Sequence, residues 1–280
     1  MKTEKSKSEQ NRRRTTIVII LFSGALLIAI TVIGVFLDPE SYAPQFANKN
    51  LAPCVRHLFG TDWMGRDMFA RTIKGLSISI CIGLIASAFT SVIALFLGVT
   101  AATFGGKAAL AFNWMVDLFM GIPHLILLIL ISMLVGKGAK GVAIGVIITH
   151  WCSLGRIVHA EVLSLRGTQY IQASYRMGKS RWWVALHHMM PHVIPQFIVG
   201  LVLMFPHAIM HESSVTFLGF GLRPEEPAIG IILSESMRYL TTGMWWLAVY
   251  PGISLLLIVI LFEVLGKNIR LLMDPYSAQE

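Results

Sequence analysis

Six long apolar runs constrain this chain more than anything else in it. A helix needs about 20 mainly apolar residues to cross a bilayer. Segments 17–37, 76–104, 113–135, 141–160, 193–214 and 245–266 all meet that requirement. Water is absent from the bilayer core, so backbone N–H and C=O groups there must pair within the protein, and such runs are read as helices. Only 14% of the residues are charged, against about a quarter in soluble domains, and the mean hydropathy is +0.68. Together these features specify an all-α polytopic membrane protein with six transmembrane helices.

The first run, Thr16 to Leu37, follows a basic stretch that holds six Lys and Arg among its first 14 residues. It is too long for the apolar region of a signal peptide, and it ends in Asp-Pro-Glu without a small-x-small cleavage site. It is therefore read as a retained first span. Lys and Arg gather on the cytoplasmic side of membrane proteins, which places the amino terminus inside and, after six crossings, the carboxyl terminus as well. The layout is a cytoplasmic basic tail (1–16), a first span (17–37), an outer loop (38–75) and a core (76–280) with five spans and an inner loop at 161–192. The net charge of +8 needs no nucleic acid to explain it, because aromatic residues do not interleave with the basic ones and membrane flanks account for them. Cys54, Cys81 and Cys152 form no disulfide or CxxC framework and read as small apolar fillers.

Within the spans, Ser77, Ser79, Gly83, Ser87, Ser91 and Gly98 suit close helix packing. The second span is long enough to tilt or to project from the membrane. Pro123 and Pro206 each remove a backbone hydrogen bond and favour a kink. Two connections are too long to be turns, and long ordered loops tend to be functional. In the outer loop, Asp62, Arg66, Asp67 and Arg71 can pair with one another. The inner loop has helical spacing on both sides of Gly178, which marks a break between short amphipathic helices. Leu163, Tyr170, Ala173, Met177, Trp182, Trp183 and Leu186 are expected on its covered face, with Arg166, Gln172, Arg176 and Lys179 in water.

That inner loop resembles the coupling loop of permease subunits in ABC importers. The family pattern is Glu-Ala-Ala, three residues, Gly, nine residues, Ile-x-Leu-Pro; here it reads Gln172-Ala173-Ser174, Gly178, then His188-x-Met190-Pro191. The alanine, glycine, proline and both spacings match. Gln172, Ser174, His188 and Met190 depart from the pattern. LFGTDWMGRDMFARTIKG (58–75), VTFLGFGLRPEEPAIGIILSESMRYL (215–240) and LGKNIRLLMDP (265–275) resemble further signatures of dipeptide, oligopeptide and nickel permeases, C-type subunit. The second of these has Ile229 where the family has Trp.

The resemblance implies a type I ABC importer permease fold in a bacterial-type inner membrane. It also implies a heterodimer with a second permease subunit, two cytoplasmic ATPase subunits and an external solute-binding protein. The chain is then non-catalytic and carries no cofactor. No GxxxxGK[ST] sequence occurs in it, so ATP is used by the partners. Gln172, Ala173, Ser174, Gly178, His188, Met190 and Pro191 are the expected ATPase-coupling residues.

His207 and His211 lie four residues apart in the fifth span, so they project from nearly the same side of a helix. Met204, Met210 and Ser214 are expected on that face, with Gly200 opening space beneath it. Glu212 falls further round and matches a glutamate found in the peptide-transporting relatives. A His-x-x-x-His pair before Phe-Leu-Gly-x-Gly resembles the nickel-transporting branch. Imidazole suits nickel, copper, zinc and iron, and two such ligands hold a metal loosely enough to release it. His207 and His211, with Met204 and Met210 as weaker candidates, are therefore the expected metal contacts on a transport path. The expected cargo is nickel or a related metal, free or chelated; the alternative is dipeptide or oligopeptide import. The bland reading is that these side chains pack or bond to neighbouring helices. His150, beside Trp151, is a further pore candidate. His124 and His159 stand alone, His187, His188 and His192 belong to the inner loop, and His57 to the outer loop.

Two other classes fail on the residues. A zinc protease requires His-Glu-x-x-His, and Val215 stands where the second histidine belongs. A passive channel has no use for a loop patterned as an ATPase socket.

Overall fold

The computed structural model describes residues 2–273, with side chains from residue 13 onward. Asp274 and Pro275, which end the last signature, lie outside the described residues. Ten α-helices account for most of the described residues: α1 (Lys2–Val35), α2 (Met68–Phe104), α3 (Gly106–Gly121), α4 (His124–Val135), α5 (Ala139–Arg166), α6 (Gln169–Arg176), α7 (Arg181–Val184), α8 (Met190–Phe217), α9 (Ile229–Met237) and α10 (Trp246–Met273). A π turn, Ala185–Met189, joins α7 to α8. The described residues form no β-strand, only an isolated bridge between Thr61 and Asp67.

Five of these helical stretches are long and apolar enough to cross a membrane, and the α3–α4 pair makes a sixth if it is one broken span. That pair bends by 96°. The cause is local: Ile122 is extended (φ −97°, ψ 136°), the conformation a following proline favours, and Pro123 caps α4. Pro206, in contrast, lies inside the continuous helix α8 together with Pro195. The second span starts at Met68, earlier than its apolar run suggests. The Asp67 side chain caps it, accepting from Ala70 N at 2.8 Å, and a capped polar turn carries no hydropathy signal.

Lipid is as apolar as leucine, so helix association in the bilayer comes from close packing rather than from burial against water. The small residues of α2 serve this purpose, and Ser77, Ser79, Gly83, Ser87, Ser91 and Gly98 are all buried. A Cβ at Gly98 would stand 2.8 Å from the Gly155 carbonyl oxygen of α5, and one at Gly83 would stand 2.7 Å from the Ile209 side chain of α8. Helix α2 is thus the central post, with α1, α5 and α8 against it. Large apolar residues cover the outside instead, among them Leu21, Phe22, Phe89, Val92, Leu110 and Trp114. This is the arrangement that a hydrocarbon solvent favours.

The two long connections lie at opposite ends of the helices. At one end, Arg166 Nη1 donates to the Ala102 carbonyl (3.0 Å) and Arg181 Nη1 to the Phe104 carbonyl (3.2 Å), which ties α6–α7 to the foot of α2. At the other, Gly138 N donates to the Gly221 carbonyl (3.0 Å), and the segment before α2 reaches α9 through ion pairs. The three cysteines are free: Cys54 is exposed and Cys152 buried.

Candidate functional site

Between these ends, α3, α4, α5 and α8 line an open-sided cavity of about 810 Å³. It extends from Pro123 and His124 at the α3–α4 break, past His150, Ser153 and Leu154 of α5, to Gln196, Gly200, Met204, His207 and His211 of α8, with Arg270 of α10 at its rim. The break in α3–α4 makes the site possible, because it turns the first residue of α4 inward where a straight helix would present another face.

The cavity wall brings together three histidines from three helices. Ring centroids are 4.3 Å apart for His124–His150, 4.6 Å for His124–His211 and 4.8 Å for His150–His211. One ligand nitrogen from each lies within 4.8 Å of the other two. His207 is exposed on the same wall, outside that cluster. The structure therefore unites His211 with His124 and His150, two residues that stand alone along the sequence. The α3–α4 bend was the missing signal, and only Pro123 hinted at it.

The remaining residues of the α8 face separate. Met204 is buried and lines the cavity, whereas Met210 is half exposed and lies off it. Ser214 donates back to the Met210 carbonyl at 2.7 Å. Gly200 borders the cavity, and its open side is filled by the Leu154 side chain. Glu212 is fully buried and lies off the cavity, its carboxyl group accepting from Thr216 Oγ1 (2.9 Å) and Ser213 Oγ (3.3 Å). Those short local bonds satisfy a group that would otherwise be costly in hydrocarbon.

At the α6–α7 end, the chain breaks at Gly178, which has φ +81°. Gly178 N donates to the Tyr175 carbonyl (3.0 Å) and Lys179 N to the Ser174 carbonyl (3.2 Å), satisfying the last carbonyls of α6. Gln172 and Ala173 are exposed and Ser174 half-buried; Gln172 Nε2 is held by the Arg166 carbonyl at 2.8 Å. His188 and Met190 are half-buried, and Pro191 is exposed in the first turn of α8.

The covered face differs from the expected one. Ile171, Val184, Ala185 and Met189 are buried, whereas Met177 is 79% exposed and Leu163, Tyr170, Trp182 and Leu186 are exposed as well. The reason is that α5 ends at Arg166 and α6 begins a new helical phase at Gln169, so one periodicity does not run through both. Apolar side chains are consequently left uncovered at this end of the protein.

At the opposite end, Asp62 accepts from Arg66 Nε (2.6 Å) and from Arg71 Nη1 (2.8 Å). Glu235 of α9 accepts from both arginines at 3.0 Å. Asp67 pairs instead with His57 at 2.7 Å. The pairing expected within the outer loop thus extends to a glutamate far along the chain. A second cavity of about 490 Å³, lined in part by Trp63, Lys137, Arg223 and Glu235, opens beside this network.

Comparison with known proteins gives concordant results. A family model described as binding-protein-dependent transport system inner membrane component matches residues 94–275. The dipeptide transport system permease protein DppC of Bacillus subtilis is 31% identical over 256 residues, covering 91% of this chain and 80% of that protein. The oligopeptide transport system permease protein OppC of the same organism is 28% identical over 257 residues (90% of this chain, 84% of that one). The probable D,D-dipeptide transport system permease protein DdpC of Escherichia coli is 27% identical over 258 residues (90% and 86%). Among solved structures, the MetNI methionine ABC transporter in inward-facing conformations aligns with a TM-score of 0.59 at 18% identity, over 74% of this chain and 98% of that one. That likeness speaks for the fold. The three relatives are named for peptides and none for nickel, so the narrower likeness to the nickel-transporting branch is not supported.

Proposed function

The chain belongs to the family of binding-protein-dependent transport system inner membrane components, and from that premise we propose how this permease subunit works and what passes through it. It is a multi-pass inner-membrane subunit of an ABC importer. Its partners in this reading are a second permease subunit across the open side of the cavity, two cytoplasmic ATPases and an external solute-binding protein. Both termini lie inside. Hydrolysis of ATP belongs to the ATPases, and this chain supplies the path and the lever.

The carrying observation is the end built from α6, Gly178 and α7. It holds a backbone turn fixed by Gly178 and leaves Tyr170, Met177, Trp182 and Leu186 exposed beside it. Uncovered aromatic and methionine side chains of this kind mark protein contact sites. The same end is joined to α2 through Arg166 and Arg181, and to α8 through the π turn, so a push there reaches the central post of the bundle and a helix that lines the cavity. Gln172, Ala173, Ser174, Gly178, His188, Met190 and Pro191 form the socket in this account, and α8 transmits the movement to His207 and His211.

The proposed cargo is a dipeptide or oligopeptide, in keeping with the relatives. A second reading, import of nickel or a related metal, free or chelated, is favoured by one observation, the convergence of His124, His150 and His211. The experiment is reconstitution of the full complex, with binding protein, in vesicles. Uptake of labelled peptide that requires ATP and every subunit supports the proposal; uptake by this chain alone, without ATP, overturns it.

A further inference from the structure

Each of the three clustered imidazoles comes from a different helix: His124 from the first turn of α4, His150 from the middle of α5 and His211 from α8. His150 begins about 17 Å from the start of its helix at 1.5 Å per residue, deep within a hydrocarbon layer of about 30 Å. Its Nδ1 faces the Val146 carbonyl at 3.2 Å and Thr149 Oγ1 at 3.1 Å. The Thr149 hydroxyl hydrogen is directed to the Gly145 carbonyl at 2.9 Å. Both oxygens near Nδ1 are thus acceptors, which assigns the proton to Nδ1 and leaves the Nε2 lone pair free. An imidazole anchored through one nitrogen and open at the other is the usual form of a metal-ligating histidine.

The free ends find no other use. Nε2 of His150 and Nε2 of His124 are both buried and make no hydrogen bond among the described residues. Buried polar nitrogens without partners are costly, and two of them converging with a third imidazole are costlier still. A divalent ion with metal–nitrogen bonds of about 2.0–2.1 Å would accept all three lone pairs. Its ligand nitrogens would stand about 3.4 Å apart in a tetrahedral arrangement, which small rotations of rings already within 4.8 Å of one another provide.

From this geometry we propose that His124, His150 and His211 form a three-imidazole binding site for a divalent transition-metal ion in the wall of the cavity. The ligand type selects zinc, nickel, copper or cobalt and disfavours magnesium and calcium, which take oxygen ligands. Three neutral ligands leave the ion's charge uncompensated, and Glu212, the nearby carboxyl group of α8, is engaged off the cavity. The fourth position faces the cavity and calls for an anionic group such as a carboxylate, which a peptide-like cargo carries. That last step rests on the cavity being the cargo path; the ion site itself does not.

The test uses the complete transporter purified in detergent, with metal removed and then Zn²⁺ or Co²⁺ added back. Equilibrium dialysis counts the bound ion, and cobalt absorption reports whether it is four-coordinate with nitrogen ligands. The wild type is expected to bind one ion per chain. His124→Asn, His150→Asn and His211→Asn should each weaken binding roughly tenfold or more, while the cytoplasmic-loop control His187→Ala with His192→Ala leaves it unchanged. Binding should fall as pH is lowered, since protons compete for the same nitrogens. Equal binding by the wild type and the triple variant, in preparations that retain ATP hydrolysis, would overturn the site without touching the transporter assignment.

Discussion

Arg71, in the first turn of α2, donates to Asp62 of the preceding loop at 2.8 Å and to Glu235 of α9 at 3.0 Å, and it is 3% exposed. One guanidinium thus fastens the loop that precedes α2 to a helix far along the chain. Its planar fork suits two carboxylates at once.

Removing that fork leaves a buried carboxylate short of a partner. Arg71→Met is expected to destabilise the protein by about 3 kcal/mol, read as a lowered melting temperature in detergent. Adding Asp62→Asn should recover part of the loss, because the deserted charge is then gone. A double variant no more stable than Arg71→Met would show that the ion pair is not what holds the loop.

Gly178 has φ +81° with open space around it, so conformation rather than crowding restricts substitution. Gly178→Val should cost about 1–2 kcal/mol at the turn and loosen the lever more than the fold. The expected result is continued ATP hydrolysis with much less solute imported per ATP, measured in reconstituted vesicles. Unchanged coupling would remove Gly178 from the mechanism.

Gly98 lets α2 and α5 approach, because any side chain there meets the Gly155 carbonyl and Val158. Gly98→Leu should abolish the monodisperse complex on size exclusion. Gly24→Ala, where a Cβ meets nothing within 4 Å, should behave as wild type. Equal yields from both substitutions would contradict the packing account of the bundle.

Ser153 is exposed on the cavity wall. Ser153→Trp would fill part of the space without disturbing the α6–α7 end. Peptide uptake should fall, most for the longest peptides, with ATP hydrolysis retained. Uptake at the wild-type rate for all lengths would move the path elsewhere.

The bundle was readable in the sequence because hydrocarbon imposes a length and a composition on each span, and the small residues of α2 carry their packing role openly. Gly178 was readable for a similar reason, since a lone glycine between two periodic stretches marks a turn. The histidine cluster was not. His124, His150 and His211 sit on separate helices, and their meeting depends on the 96° bend at Ile122–Pro123; Pro123 marks where the helix breaks, whereas the helices that the bend brings together are set by packing between distant parts of the chain. Glu235 escaped notice likewise, because its partners Arg66 and Arg71 lie far away along the chain. The face of α6 was misplaced by the phase break after Arg166. The cargo expectation leaned on His207 and His211 and on a likeness to nickel permeases, whereas the whole-chain relatives are named for peptides.

The central claim is that the segment around Gly178 is the inner socket of a nucleotide-driven motor. The direct measurement places a single cysteine at the exposed Ala173, with Cys54, Cys81 and Cys152 replaced by serine, and assays crosslinking and labelling in intact cells. The account predicts a crosslink to the co-expressed ATPase and no labelling by an impermeant maleimide added outside. Labelling from outside, with no crosslink to the ATPase, would contradict it.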